Sequence, residues 1–180
     1  MDKNAITIRK ATKADAEAIQ TIYAPYVRET AVSFEYDVPS VEEMAKRIEE
    51  VQKTHPWIVA EEDGKIVGYA YAHAFYGRAA YQWAVETSIY VDRQEKRKGI
   101  GGKLLEALEA ALKQQGILNL YACIAFIEPE DEHLTQDSVR FHHHMGYQTV
   151  AHLHQCGRKF DRWYDVVWME KLIGPHPSHL

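Results

Sequence analysis

From Ala5 to Lys10 apolar and polar residues alternate, the period of a half-buried strand. After Thr12, an N-cap residue type, the period lengthens, and Ala16, Ile19, Ile22, Tyr23 and Tyr26 fall on one face of a helix. Pro39-Ser40-Val41-Glu42-Glu43 has the form of a capping box, and Met44, Ile48 and Val51 follow at helical spacing. Trp57 to Ala60 and Ile66 to Phe75 are strand-like runs on either side of Glu62-Asp63-Gly64-Lys65, where Asp-Gly favours a tight hairpin turn. Val85 to Val91 is a further strand. Gly101 to Gln115 is the clearest helix, with Leu104, Leu105, Leu108, Ala111 and Leu112 as its buried stripe and Gly116 placed to stop it. Leu118 to Ile124 reads as a buried strand and Ser138 to Met145 as a short helix ended by Gly146. Gln148 to His154 and Tyr164 to Lys171 are the closing strands. The order predicts a mixed α/β (α+β) domain: one largely antiparallel sheet of about seven strands, flanked by helices on both faces.

Composition narrows the picture. A chain of 180 residues, 46% of them hydrophobic, suits a single domain with a real core. That domain is expected over residues 1–173, with the Gly-Pro-His-Pro-Ser-His-Leu tail, 174–180, frayed. A formal net charge of −5 argues against a nucleic-acid-binding surface. Cys123 and Cys156 are isolated thiols without metal-like spacing, which suits a reducing compartment. No apolar run suggests a signal peptide or a membrane span, so a cytoplasmic protein is the expectation.

The chemistry concentrates at residues 85–102. A strand runs into a basic turn, Lys96-Arg97-Lys98, then Gly99-Ile100-Gly101-Gly102, which opens directly into a helix. Glycines let a backbone approach a ligand closely, and the first turn of a helix presents unpaired N–H groups and the positive end of its dipole. The segment is a cradle for a diphosphate. A dinucleotide fold would place its glycine loop after the first strand, and a nucleotide-hydrolase loop would end in Gly-Lys-Ser/Thr, whereas Gly102-Lys103-Leu104 lacks the hydroxyl. Three consecutive histidines, His142-His143-His144, point three ways on a helix and cannot converge on one ion, so no metal is expected there.

Lys96-Arg97-Lys98-Gly99-Ile100-Gly101 resembles the Gln/Arg-x-x-Gly-x-Gly/Ala signature of the Gcn5-related N-acetyltransferases, with Lys at the first position. The resemblance runs from Ile6-Thr-Ile-Arg-Lys to Trp168-Met-Glu-Lys. It is closest to the phosphinothricin and methionine sulfone acetyltransferase branch, through Ala31-Val-Ser-Phe-Glu35, Val85-Glu-Thr-Ser-Ile-Tyr-Val91, Ser138-Val-Arg-Phe-His142 with Gly146-Tyr147, and Gly157-Arg-Lys-Phe-Asp-Arg-Trp163 with Asp165. It implies acetyl-CoA as co-substrate, no metal, and a small amine acceptor, an amino acid or analogue. Acetyl-CoA contacts are implied at Ile89, Tyr90 and Val91, at Arg97, Lys98, Gly99, Ile100, Gly101 and Gly102, and near Thr135 and Ser138. Thr135 stands where the family usually has Asn. Glu86 takes the general-base position, the alternative being a strand carboxylate in a surface ion pair. His142 takes the position of a group that protonates the leaving thiolate, the alternative being a packing role. Ser33, Phe34 and Glu35, Tyr76, Arg78 and Tyr81, and Lys159, Phe160 and Trp163 are implied near the acceptor, the last three within one chain or across a homodimer interface; the alternative for Trp163 is a core position. The acidic stretch Ile127 to Asp137 either rims the cleft or is solvated. A peptide or protein N-acetyltransferase and a non-catalytic CoA-binding module stay open as alternatives.

Overall fold

The computed structural model describes residues 5–95 and 98–179. Seven strands form one sheet in the order β1-β2-β3-β4-β5-β7-β6. They are β1 (Thr7–Lys10), β2 (Trp57–Glu62), β3 (Lys65–Ala74), β4 (Ala84–Val91), β5 (Asn119–Phe126), β6 (Gln148–Lys159) and β7 (Arg162–Leu172). All pairs are antiparallel except β4 with β5. Helices α1 (Ala16–Glu29) and α2 (Val41–Gln52) cover one face. Helices α3 (Ile100–Gln114) and α4 (Asp137–His144) cover the other.

Local chemistry explains the element ends. Ser40 caps α2 by accepting from Glu43 N at 3.1 Å. Thr12 is followed by a 3-10 turn, Lys13–Asp15, before α1 begins. The Asp15 carboxylate takes the Thr12 N–H at 2.8 Å and pairs with Arg9, which fastens the turn to β1. Helix α3 starts one residue earlier than its sequence predicts, at Ile100, because Gly99 adopts φ +71° and turns the chain into the helix.

Two cores sandwich the sheet. Leu104, Leu105, Leu108 and Leu112 of α3 are fully buried against Val67, Ala70, Ala72 and Val85. Each such side chain stabilises by about 1.5–3 kcal/mol. Gly68 lets α3 lie close to the sheet, since a Cβ there would sit 3.0 Å from Leu104 Cδ1 and 3.2 Å from Tyr90 O. Under α1 and α2 an aromatic row runs across the strands, with Trp57 on Tyr71 at 4.1 Å and Tyr69 on Tyr90 at 5.4 Å between ring centres. Beyond β7 the chain continues along β5: Ile173 N donates to Leu118 O, and His176 Nε2 is 2.8 Å from Asn119 Oδ1.

Candidate active site

Strands β4 and β5 run parallel only over Ala84↔Asn119, Val85↔Leu120 and Glu86↔Tyr121. Beyond Glu86 they part. Each remains paired on its outer side, β4 to β3 as far as Gly68↔Val91 and β5 to β7 as far as Phe126↔Asp165. The phase of the β3–β4 ladder is set by Phe75 N donating to Ala84 O and Asp92 N donating to Val67 O. Antiparallel pairing alternates, so Glu86, Ser88 and Tyr90 turn their main-chain groups to β3, while Thr87, Ile89 and Val91 turn theirs into the split. Tyr26 closes its far end by donating to Val91 O at 2.5 Å.

The start of α3 lies beside that split. Lys103 N is bonded to Gly99 O, which leaves the N–H groups of Ile100, Gly101 and Gly102 as the open first turn. A Cβ on Gly101 would lie 3.2 Å from Phe141 Cε2 and 3.9 Å from Ile89 Cδ1. The open edge, the α3 N-terminus and α4 therefore meet at Gly101. Lys98 is engaged by Glu62 at 2.9 Å and Glu95 at 2.7 Å, pairs that raise its pKa. Arg97 and Lys96 lie outside the described residues. Thr135 is exposed and its hydroxyl accepts from Asp137 N at 3.4 Å. Ser138 offers its carbonyl to His142 Nδ1 at 2.8 Å.

Glu86 points to the α1/α2 face, directly opposite His73, with His73 Nε2 3.6 Å from its carboxylate. Burial pushes the carboxyl above its ordinary range, and His73 offsets part of that. Cys123 is exposed as a residue, but local desolvation, with the Glu86 charge adding to it, pushes its thiol up to about 12. His142 lies on the other face, 3% exposed, with its ring edge-to-face on Tyr147 at 5.1 Å. Because Ser138 O can only accept, Nδ1 carries the proton and Nε2 carries a lone pair. Burial also lowers the pKa. In the neutral ring Nε2 is therefore an acceptor; donation from Nε2 to a leaving thiolate requires the imidazolium, which burial disfavours.

On the acceptor side, Lys159 differs from its sequence reading. Its ammonium is buried and donates to Val27 O at 2.7 Å, Thr30 O at 2.9 Å and Ser33 O at 2.7 Å, so all three protons are committed to the chain. It anchors the 30–35 loop instead of binding a substrate. Glu35 is likewise engaged, bidentate with Arg47 and accepting from Tyr23; Arg47 holds its pKa down. Phe34 lies over Gly157, where a Cβ would come within 2.2 Å of the ring, and faces Tyr164. Tyr76 is 56% exposed and packs on Phe75 and Tyr81, with Arg78 exposed on the same loop. Phe160 stacks on His133 at 3.8 Å. Trp163 is 55% exposed beside Arg158, which removes the core reading. In the acidic stretch, Asp131 and Glu132 pair with Arg162, and Glu130 with Arg140. The sequence reading missed His73 and Cys123, whose place beside Glu86 depends on strand register.

Residues 8–168 match the Acetyltransferase (GNAT) domain. The chain belongs to the GNAT acetyltransferase family. This GNAT chain is 33% identical to a phosphinothricin N-acetyltransferase of Streptomyces viridochromogenes, over 98% of the chain and 93% of the relative. It is 32% identical to an L-methionine sulfoximine/L-methionine sulfone acetyltransferase of Salmonella typhimurium, over 96% and 98%. Among solved structures, a putative acetyltransferase of Salmonella typhimurium with its cofactor acetyl-CoA superposes with TM-score 0.88 at 31% identity, covering 97% of each chain. A phosphinothricin acetyltransferase of Sinorhizobium meliloti in complex with acetyl-CoA gives 0.86 at 32%, covering 97% of this chain and 94% of that one.

The raised carboxyl of Glu86 has a consequence for stability. Between its unfolded pKa and its higher folded one the native state holds more protons than the unfolded state, so stability falls as pH rises through that window. Glu86→Gln is expected to melt at a higher temperature than the parent at pH 7 and to lose that advantage below pH 4. Differential scanning calorimetry at the two pH values checks this; equal melting at pH 7 would remove the desolvation argument.

Proposed function

We propose that this chain is an acetyl-CoA-dependent N-acetyltransferase that acetylates the amino group of a small amino acid or analogue, of the phosphinothricin, methionine sulfone or methionine sulfoximine type. The observation that carries the reading is the β4–β5 split with Glu86 at its vertex. An extended ligand arm can pair with the main chain of Ile89 and Val91, and a diphosphate fits the open N–H groups of Ile100 to Gly102. When bound, acetyl-CoA supplies an acyl group activated as a thioester. Tyr90, an expected contact, faces β3 with its main chain, so Ile89 and Val91 carry the pairing. The names of the relatives support the acceptor class.

An amine with pKa near ~10 reaches the site protonated at neutral pH. Glu86 removes that proton, directly or through a water, and burial, which raises its pKa, makes it a stronger base than an exposed carboxylate. The split connects the two faces of the sheet, so the amine approaches from the Glu86 side while the donor lies on the side of α3 and α4. Main-chain N–H groups turned into the split are donors for the charge that develops on the carbonyl oxygen. Phe34 walls the acceptor side, and Arg78, without an ion-pair partner among the described residues, is free to clasp an acceptor carboxylate. The acidic stretch is tied to Arg140 and Arg162, which argues against its use as a groove for peptides.

The protein works as a homodimer in the cytoplasm under this reading. No helix among the described residues is long and apolar enough to cross a membrane, and both cysteines are free thiols. At the end of the β6–β7 hairpin Trp163 is 55% exposed, a surface suited to a second copy.

Glu86→Gln should cut kcat/KM for the amine by about 10²–10⁴-fold at pH 7 and far less at high pH, with acetyl-CoA affinity by calorimetry unchanged. An unaltered pH–rate profile would refute the base assignment. Gly157→Ala should displace the Phe34 ring and raise the acceptor KM without changing that for acetyl-CoA; steady-state kinetics with both substrates varied decides it. Sedimentation equilibrium should give twice the chain mass, and a single-chain mass at all concentrations would end the dimer assignment.

A further inference from the structure

We propose that His152, His154 and Asp165 form a binding site for one divalent transition-metal ion of the zinc type, on the outer strand pair and apart from the acyl-transfer site. His152 and His154 stand two apart on β6 and so share a face of the sheet. Asp165 comes from the neighbouring β7. One ligand atom from each lies within 4.8 Å of the other two. His152 Nε2 is already 2.7 Å from Asp165 Oδ2, and the two imidazoles stack with ring centres 4.4 Å apart and planes 14° from parallel. A tetrahedral zinc site with metal–ligand bonds of about 2.0–2.1 Å places its ligand atoms about 3.3 Å apart. The His152–Asp165 separation is shorter than that value, all three atoms lie within 4.8 Å, and both histidines are exposed, so side-chain rotation can adjust the spacing.

Charge and support favour an ion over a plain ion pair. Among the described residues Asp165 has no Lys or Arg partner; His152 is its one basic contact. His154 has no hydrogen-bond partner of its own in the described set. The other carboxylate oxygen of Asp165 accepts from Gln155 N at 2.7 Å, which fixes the orientation of the would-be ligand. Gln155, at φ 49°, lies in the irregular stretch of β6 between Leu153 and Gly157. The metal replaces the proton that His152 Nε2 shares with Asp165, and that proton passes to solvent. Two nitrogens and one oxygen suit zinc, copper(II) or nickel(II) better than magnesium or calcium, and solvent completes the coordination. An ion here would brace the irregular stretch that leads to Gly157, the residue beneath Phe34.

The test titrates the full chain with zinc by calorimetry and with cobalt(II) by visible absorption. The expected result is one ion per chain, d–d bands of a low-coordinate nitrogen-and-oxygen site, and a melting temperature raised by zinc and restored by chelator. His154→Gln and His152→Gln, both exposed changes, should each weaken binding by about tenfold or more. Saturable binding that survives in the double variant would place the ion on other histidines and overturn the assignment. Absence of saturable zinc binding in the parent chain would overturn it as well.

Discussion

The parting of β4 from β5 after Glu86 is the constraint on which the rest of the molecule rests. Unpaired main-chain groups inside a protein are costly, and a sheet left to itself closes such a gap. Here each inner strand is paired on its outer side, and the groups of Thr87, Ile89 and Val91 on the other side face a β5 that has moved away. β4 is held by β3 along seven residue pairs, and β5 by β7 along eight. Helix α3 packs on β1 to β4 and reinforces that wing. Thr87 Oγ1 donates to Tyr121 O at 3.2 Å and bridges the two strands just past the vertex.

The gap also divides labour between the two faces of one strand. Successive residues of β4 point in opposite directions. Glu86 thus belongs to the tyrosine-rich face with His73 and Tyr71, whereas Val85, Thr87 and Ile89 belong to the face of α3, α4 and Tyr147. Under the proposed function, a base on one side and a diphosphate at the helix end on the other require no long reach from either. The glycines serve this arrangement in different ways. Gly99 supplies a left-handed turn, and Gly101 leaves room for Phe141.

Most elements were legible because their burial is periodic. The α3 stripe and the Asp63-Gly64 hairpin announce themselves locally. The sheet order was not legible: β7 inserts between β5 and β6, a long-range choice that no window of sequence records. β6 runs to Lys159, well past His154, because its exposed residues carry no alternating pattern and its irregular stretch breaks the period. Glu86 could be placed by resemblance, but its partner His73 needed the register. Lys159 misled most. In sequence it is one of several cations near the C-terminal strands. In space it meets carbonyls at and beyond the end of α1, groups a helix terminus leaves without intrahelical partners. The hydrogen-bonding state of His142 needed the fold too, since a carbonyl four residues earlier takes its Nδ1 proton.

The Lys159 tether bears on how this scaffold can diversify. It welds the segment after α1 to the β6–β7 hairpin, and Tyr36 OH donating to Arg158 O adds a second stitch between the same two pieces. That wall of the pocket cannot be remodelled without loosening a hairpin that also borders β5. The turn bearing Tyr76 and Arg78 carries no such burden, being exposed and stitched mainly by its own aromatic rings. Drift toward new acceptors is therefore cheapest there, with the welded wall inherited unchanged.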